Sequence, residues 1–154
     1  MEPRAADNPG VVILPPRLYL GALALVLVLR WFWRMPIAEN GVTRWPGLVL
    51  VGLGLALGIW GRMTMTRSGT NVNPGRPTTT IVASGPFRFT RNPLYVAITA
   101  VFLGLTLAIN TWWGIVALVP TLLIMHRGVV LREERYLEMK FGENYRQYRA
   151  RVRR

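Results

Sequence analysis

A chain of 154 residues carries 19 Lys and Arg against 7 Asp and Glu, a formal net charge of +12, yet 51% of its residues are hydrophobic. It has no cysteine and a single histidine, which excludes disulfides, thiolate nucleophiles, iron–sulfur clusters and any multi-histidine metal or haem site. A basic soluble domain would point to nucleic acid. Here the arginines flank long apolar blocks, so the expected partner is an anionic membrane surface rather than nucleic acid.

The length suggests one domain. A helix crossing ~30 Å of hydrocarbon needs about 20 apolar residues, with about 17 as the lower limit. The first candidate runs over 18–33. No small-residue cleavage site follows it, so it is read as a retained helix rather than a signal peptide. Arg30 lies near its far end, where a long side chain can snorkel to the interface. The second covers 45–61, between Arg44 and Arg62. Its Gly52, Gly54, Gly58 and Gly61 would weaken a soluble helix, but in a membrane they permit close helix contact. The stretch 92–125 holds no charge. As one helix it would be ~50 Å long, too long for one crossing. Asn110 and Thr111 near its middle predict a tight helical hairpin over 93–128, with helices near 93–109 and 112–128. Trp112 and Trp113 then sit at an interface, and Pro120 is expected to kink the last span.

The expected fold is therefore an all-α integral membrane protein with about four transmembrane helices. Four crossings bring both termini to one side. That side, with the 62–92 loop, carries 16 of the 19 basic residues, which places both termini in the cytoplasm and, in a bacterium, the protein in the inner membrane.

Two polar regions remain. The 62–91 connection is long, and long connections are usually functional or disordered; Thr78 to Val82 is a candidate extended piece. The tail from Arg127 reads as helix to Phe141, with Gly142 as C-cap. Beyond it, Tyr145, Tyr148 and Val152 form an apolar stripe on a short basic helix, which suits a cytoplasmic interfacial element and makes the tyrosines membrane or core anchors. Asn92 followed by Pro93 is a helix start, Asn to cap free N–H groups and Pro to fit the first turn. Exposed donors there, beside Arg91, could equally bind a polar ligand. Four of the seven acids cluster in 133–143, a setting suited either to solvated local pairs or to a cationic ligand. Arg127 and Arg132 are candidates to hold a substrate carboxylate or phosphate, or a positive-inside flank.

Five blocks occur in order: Gly69-Thr70-Asn71-Val72, Ile81 to Phe87, Arg91-Asn92-Pro93-Leu94-Tyr95, Glu133-Glu134, and Phe141-Gly142-Glu143-Asn144-Tyr145-Arg146-Gln147-Tyr148. Over about 60–152 the chain resembles the isoprenylcysteine carboxyl methyltransferase family, with its phospholipid methyltransferase relatives. The resemblance implies a single membrane methyltransferase domain that uses S-adenosyl-L-methionine. By it, Thr79, Thr80, Ile81, Val82, Phe87, Asn92, Pro93, Leu94 and Tyr95 line the cofactor pocket, and Glu133 holds the amino group of the methionine moiety. The family often has His where this chain has Asn92, which cannot act as a base, and commonly Tyr where it has Phe87. No metal is expected.

Methyl transfer is an in-line displacement that needs alignment and exclusion of water. A carboxylate acceptor is already ionised at neutral pH, whereas an amine must first lose a proton. The candidate bases are His126, Glu133 and Glu134 alone, so the sequence favours a carboxylate acceptor, and the resemblance implies carboxyl O-methylation of a lipid-like or prenylated, isoprenylcysteine-like one. The alternatives are N-methylation of a phospholipid or other amine, and a non-enzymatic four-helix transporter or assembly protein. The last leaves the five blocks unexplained and lacks an ionisable residue within spans two to four.

Overall fold

A computed structural model describes residues 8–153. The elements in chain order are α1 (Pro15–Phe32), α2 (Arg44–Arg67), a 3-10 turn (Gly85–Arg88), α3 (Pro93–Ala108), α4 (Trp112–Met125), a π-helical turn (His126–Val130), α5 (Leu131–Phe141) and α6 (Glu143–Arg151). No strand occurs among the described residues, 78–82 included.

Among the described residues, three helical rods are long and apolar enough to cross a membrane: α1, α2 and the continuous rod Trp112–Phe141. The fourth expected crossing, α3, is apolar but has only 16 residues. Helix α2 overruns the expected 45–61 and ends at Arg67, because Arg62 and Arg67 are good helix formers and the first residue able to reverse the chain is Gly69, at φ +70°. The rod from Trp112 likewise runs through the expected boundary near 128 and stops at Gly142, at φ +53°.

Helices α2 and α3 pack as an intimate pair, and small residues explain why. Gly47, Gly54 and Gly61 repeat every seven residues along one face of α2. A Cβ at Gly47 would fall 2.6 Å from the Gly104 carbonyl oxygen, one at Gly54 2.9 Å from the Ala97 carbonyl oxygen, and one at Gly61 3.0 Å from Leu94. Gly52 faces open space, and Gly58 has only an ordinary contact with Ala97. The core beside this seam joins Tyr19, Ala22 and Val26 of α1 to Phe102 of α3 and to Met125, Val129 and Val130. Leu20, Leu25, Val49, Leu53, Val116 and Val119 face outward and exposed, as in a protein whose solvent there is lipid.

The far end is tied by Asn110. Its Oδ1 accepts from the backbone N–H groups of Ile37 and Ala38 at 2.9 and 3.1 Å, its Nδ2 donates to the Ala38 carbonyl at 2.7 Å, and Trp112 N–H donates to the Met35 carbonyl. The α1–α2 and α3–α4 connections therefore meet at one end of the bundle. At the other end, Val12 N–H donates to the Gly128 carbonyl and Arg91 N–H to the Arg153 carbonyl. This end carries the long connection, the α5–α6 tail and most of the charge.

Candidate functional site

At the charged end, the connection from Ser68 to Asn92 folds over the start of α3 and against α5 and α6. Its fold is set by side chains bonding to backbone. Asn71 donates to the Pro77 carbonyl at 2.7 Å, Thr79 Oγ1 donates to the Gly69 carbonyl at 2.8 Å, and Thr79 N–H donates to Thr70 Oγ1. Tyr136 of α5 accepts from Thr78 N–H, and Tyr148 of α6 donates to the Phe87 carbonyl at 2.9 Å. The connection is thus pinned at both edges to the tail.

Beneath it lies a cavity of about 80 Å³, lined by Thr80, Ile81, Val82 and Phe87 from the connection, Arg91 and Asn92 from the approach to α3, Glu133, Glu134 and Leu137 from α5, and Tyr145 and Tyr148 from α6. Two polar pairs organise it. The Tyr95 hydroxyl donates to Glu133 Oε2 at 2.7 Å. Arg91 Nη1 lies 3.0 Å from Glu134 Oε1, both side chains being about 90% buried, though the two are not aligned as a hydrogen bond. Burial raises the Tyr145 phenol above its usual value, with Glu134 adding to the effect and Arg91 opposing it. Burial, then Tyr145, push Tyr148 up to about 12. Both phenols are therefore neutral donors at physiological pH.

A second space opens from the bundle side. It is an apolar groove of about 530 Å³ between α1, α3 and α4, with Tyr19, Tyr95, Thr99, Leu103, Met125 and His126 among its walls. Asn92 borders both spaces. The Thr99 hydroxyl donates to the Tyr95 carbonyl at 2.7 Å, so Tyr19, 2.6 Å away, is the donor in the Tyr19–Thr99 bond.

The structure brings together Thr80, Ile81, Val82, Phe87, Asn92 and Glu133 of the residues expected from the sequence. Thr79 braces the connection from behind through Gly69 and Thr70. Pro93 is buried at the α3 start, and Leu94 packs on Gly61 of α2. Tyr95 reaches the cavity through Glu133 and faces the groove. Arg127 and Arg132 line neither space; Arg132 donates to the Gly10 carbonyl at 3.0 Å. Asn92 makes no side-chain cap. Its backbone carbonyl accepts from Tyr95 and Val96 N–H, the first bonds of the helix.

Sequence reasoning missed Tyr145 and Tyr148 as lining residues, since a stripe at i, i+3 reads as an anchor whether its cover is lipid or a loop. It also named Glu134 as a candidate base and a member of the acid cluster without finding its partner, Arg91. The signal was present in the scarcity of acids: an acid adjacent to Glu133 in a strongly basic chain has many partners to choose from, and Arg91 takes it.

The lining suits a molecule with an ammonium, a carboxylate and a flat ring. Glu133 and Glu134 are acids in a buried setting, Arg91 is a buried guanidinium, and Phe87, Ile81 and Val82 supply an apolar wall. Pockets that enclose whole small molecules run to about 300–1,000 Å³, so the cavity as it stands has room for only part of one.

A family model described as phospholipid methyltransferase matches residues 42–144. A protein of Haemophilus influenzae described as uncharacterized is 34% identical over 64 residues, a stretch covering 40% of this chain and 97% of that relative. No solved structure matches.

Proposed function

Because the chain belongs to the phospholipid methyltransferase family, we propose that it transfers a methyl group from S-adenosyl-L-methionine to an acceptor borne on a lipid. The family makes it a membrane methyltransferase; the cofactor and the acceptor are our reading. The observation that carries it is the adjacency of two unlike spaces at one helix start. A small polar cavity with acids, a guanidinium and an apolar wall meets, at Asn92, an apolar groove that runs down into the bundle. A water-borne donor and a membrane-borne acceptor need such a pair of entrances.

The cofactor, when bound, supplies a methyl carbon on a positively charged sulfur. Glu133, oriented by the Tyr95 hydroxyl, would hold its ammonium group. Arg91 would face its carboxylate, and Phe87 offers a stacking face with Thr80, Ile81 and Val82 as the roof. The connection pinned by Tyr136 and Tyr148 excludes water from the reacting atoms.

Two acceptor chemistries follow from different observations. The motif resemblance speaks for a carboxylate of isoprenylcysteine type. The groove speaks for an amine, since Arg127 and Arg132, the guanidinium groups suited to a substrate carboxylate, lie outside both spaces, while His126, an imidazole, lines the groove. We adopt the amine reading.

Purified protein in detergent is expected to bind S-adenosylhomocysteine, and Glu133→Ala to weaken that binding by about tenfold to a hundredfold, the worth of a charged hydrogen-bond partner. Wild-type protein without measurable affinity overturns the proposal. Labelled cofactor offered with a panel of lipid amines and lipid acids separates the two acceptors.

A further inference from the structure

We propose that His126 is the catalytic residue that takes the proton from the acceptor amine before methyl transfer. The inference rests on the methyltransferase reading and adds to it the base that an amine acceptor requires.

His126 is the chain's only imidazole. It opens the π-helical turn His126–Val130, where Leu131 N–H donates to the His126 carbonyl five residues back. Such turns insert one residue into a helix and recur at functional sites. Here the insertion falls where the apolar part of the rod ends, and His126 lines the groove together with Thr90, Asn92 and Tyr95. Asn92 and Tyr95 are the residues that separate the groove from the polar cavity: Asn92 borders both, and Tyr95 holds Glu133 on the far side. A head group in the groove therefore lies against a wall that His126 shares with Asn92, the residue that borders the cavity.

The other titratable groups on that wall are Tyr19 from α1 and Tyr95 from α3, with Glu133 of α5 behind Tyr95 and Arg127 next to His126 in sequence. Tyr19 and Tyr95 are phenols engaged with Thr99 and Glu133. Glu133 faces the cationic donor, and Glu134 is paired with Arg91. An imidazole is the side chain whose ordinary pKa suits proton exchange near neutrality.

The step balances simply. The protonated primary amine gives one proton to the imidazole and becomes neutral. Its lone pair forms the N–C bond as the C–S bond breaks, and that electron pair returns to sulfur, leaving a neutral thioether and an N-methyl ammonium. The imidazolium releases its proton to water at the interface.

A lone histidine gives a direct readout. In protein loaded with S-adenosylhomocysteine and labelled at histidine, dodecylamine is expected to shift the single imidazole resonance and its titration midpoint. Dodecanoate is expected to leave both unchanged. With labelled cofactor, His126→Gln should lower kcat/KM for the amine by about a hundredfold or more and erase the limb of the pH profile that reports the imidazole, while affinity for S-adenosylhomocysteine stays at the wild-type value. An imidazole indifferent to the amine in protein that still binds S-adenosylhomocysteine, or full amine turnover by His126→Gln, overturns this inference alone. Failure to bind S-adenosylhomocysteine overturns the methyltransferase reading and this one with it.

Discussion

Glu133 and Glu134 are adjacent on α5, and their surroundings give them different tasks. Glu133 accepts a hydrogen bond from Tyr95 and presents its remaining lone pairs to the cavity, whereas Glu134 lies against Arg91 with both side chains about 90% buried. An ion pair held that far from water is a poor source of net stability, yet removing one partner leaves an uncompensated buried charge at a cost of about 3–5 kcal/mol. Arg149 and Glu138, at 2.9 Å, make a shorter contact, but their side chains are 48% and 38% exposed. Solvent screening limits such a pair to about 0–1 kcal/mol. Glu134→Gln is therefore expected to lower the midpoint of thermal unfolding in detergent far more than Glu138→Gln, although the second breaks the tighter contact. Equal midpoints would mean that water reaches Arg91 and that the cavity is open to bulk solvent.

At the scale of elements, the α2–α3 seam depends on which glycines face it. Gly47, Gly54 and Gly61 stand a heptad apart and meet backbone or Leu94, while Gly52 faces outward. A bulkier residue at Gly54 has a carbonyl, not a flexible side chain, in its way, and overpacking of that kind costs about 1–3 kcal/mol. Gly54→Val should destabilise the protein by that amount and, because α3 begins directly after Asn92, also weaken S-adenosylhomocysteine binding. Gly52→Ala should be neutral or slightly stabilising, since a helical Gly costs about 0.5–1 kcal/mol relative to Ala. A Gly54→Val protein that melts with wild type would remove the seam from the fold. The contrast shows what was legible in the sequence. The apolar blocks, the Asn110 turn and the Gly142 stop could be read from composition and punctuation. The rotational phase of α2 could not, because a helix apolar on every side carries no stripe to orient it, and so Gly47 escaped notice while Gly52 was credited with contact. The site divides the same way. Ordered motifs pointed to Phe87, Asn92 and Glu133, which line one cavity, but the cover that α6 gives through Tyr145 and Tyr148 depends on a long-range docking that local spacing does not encode.

For the molecule as a whole, the structure joins the α1–α2 and α3–α4 connections at one end through Asn110, and the long connection and tail at the other. If α3 crosses the bilayer with its 16 residues, a rise of about 24 Å, the membrane must thin locally or the flanking residues must sit deep, each at a modest cost per ångström. The pairing of α3 with the 24-residue α2 favours that compromise, since α2 holds its partner at the same depth. The charge asymmetry then predicts the direction, with the Arg-rich end expected in the cytoplasm. A chain without cysteine makes this directly measurable. In intact cells, a membrane-impermeant thiol reagent should label Glu39→Cys and Trp112→Cys and spare Ser68→Cys until the membrane is opened. Labelling of Glu39→Cys without Trp112→Cys would mean that the turn between α3 and α4 stays within the bilayer, leaving α1 and α2 as the complete crossings. The cavity would then lose the fixed helix start on which both of its entrances are built.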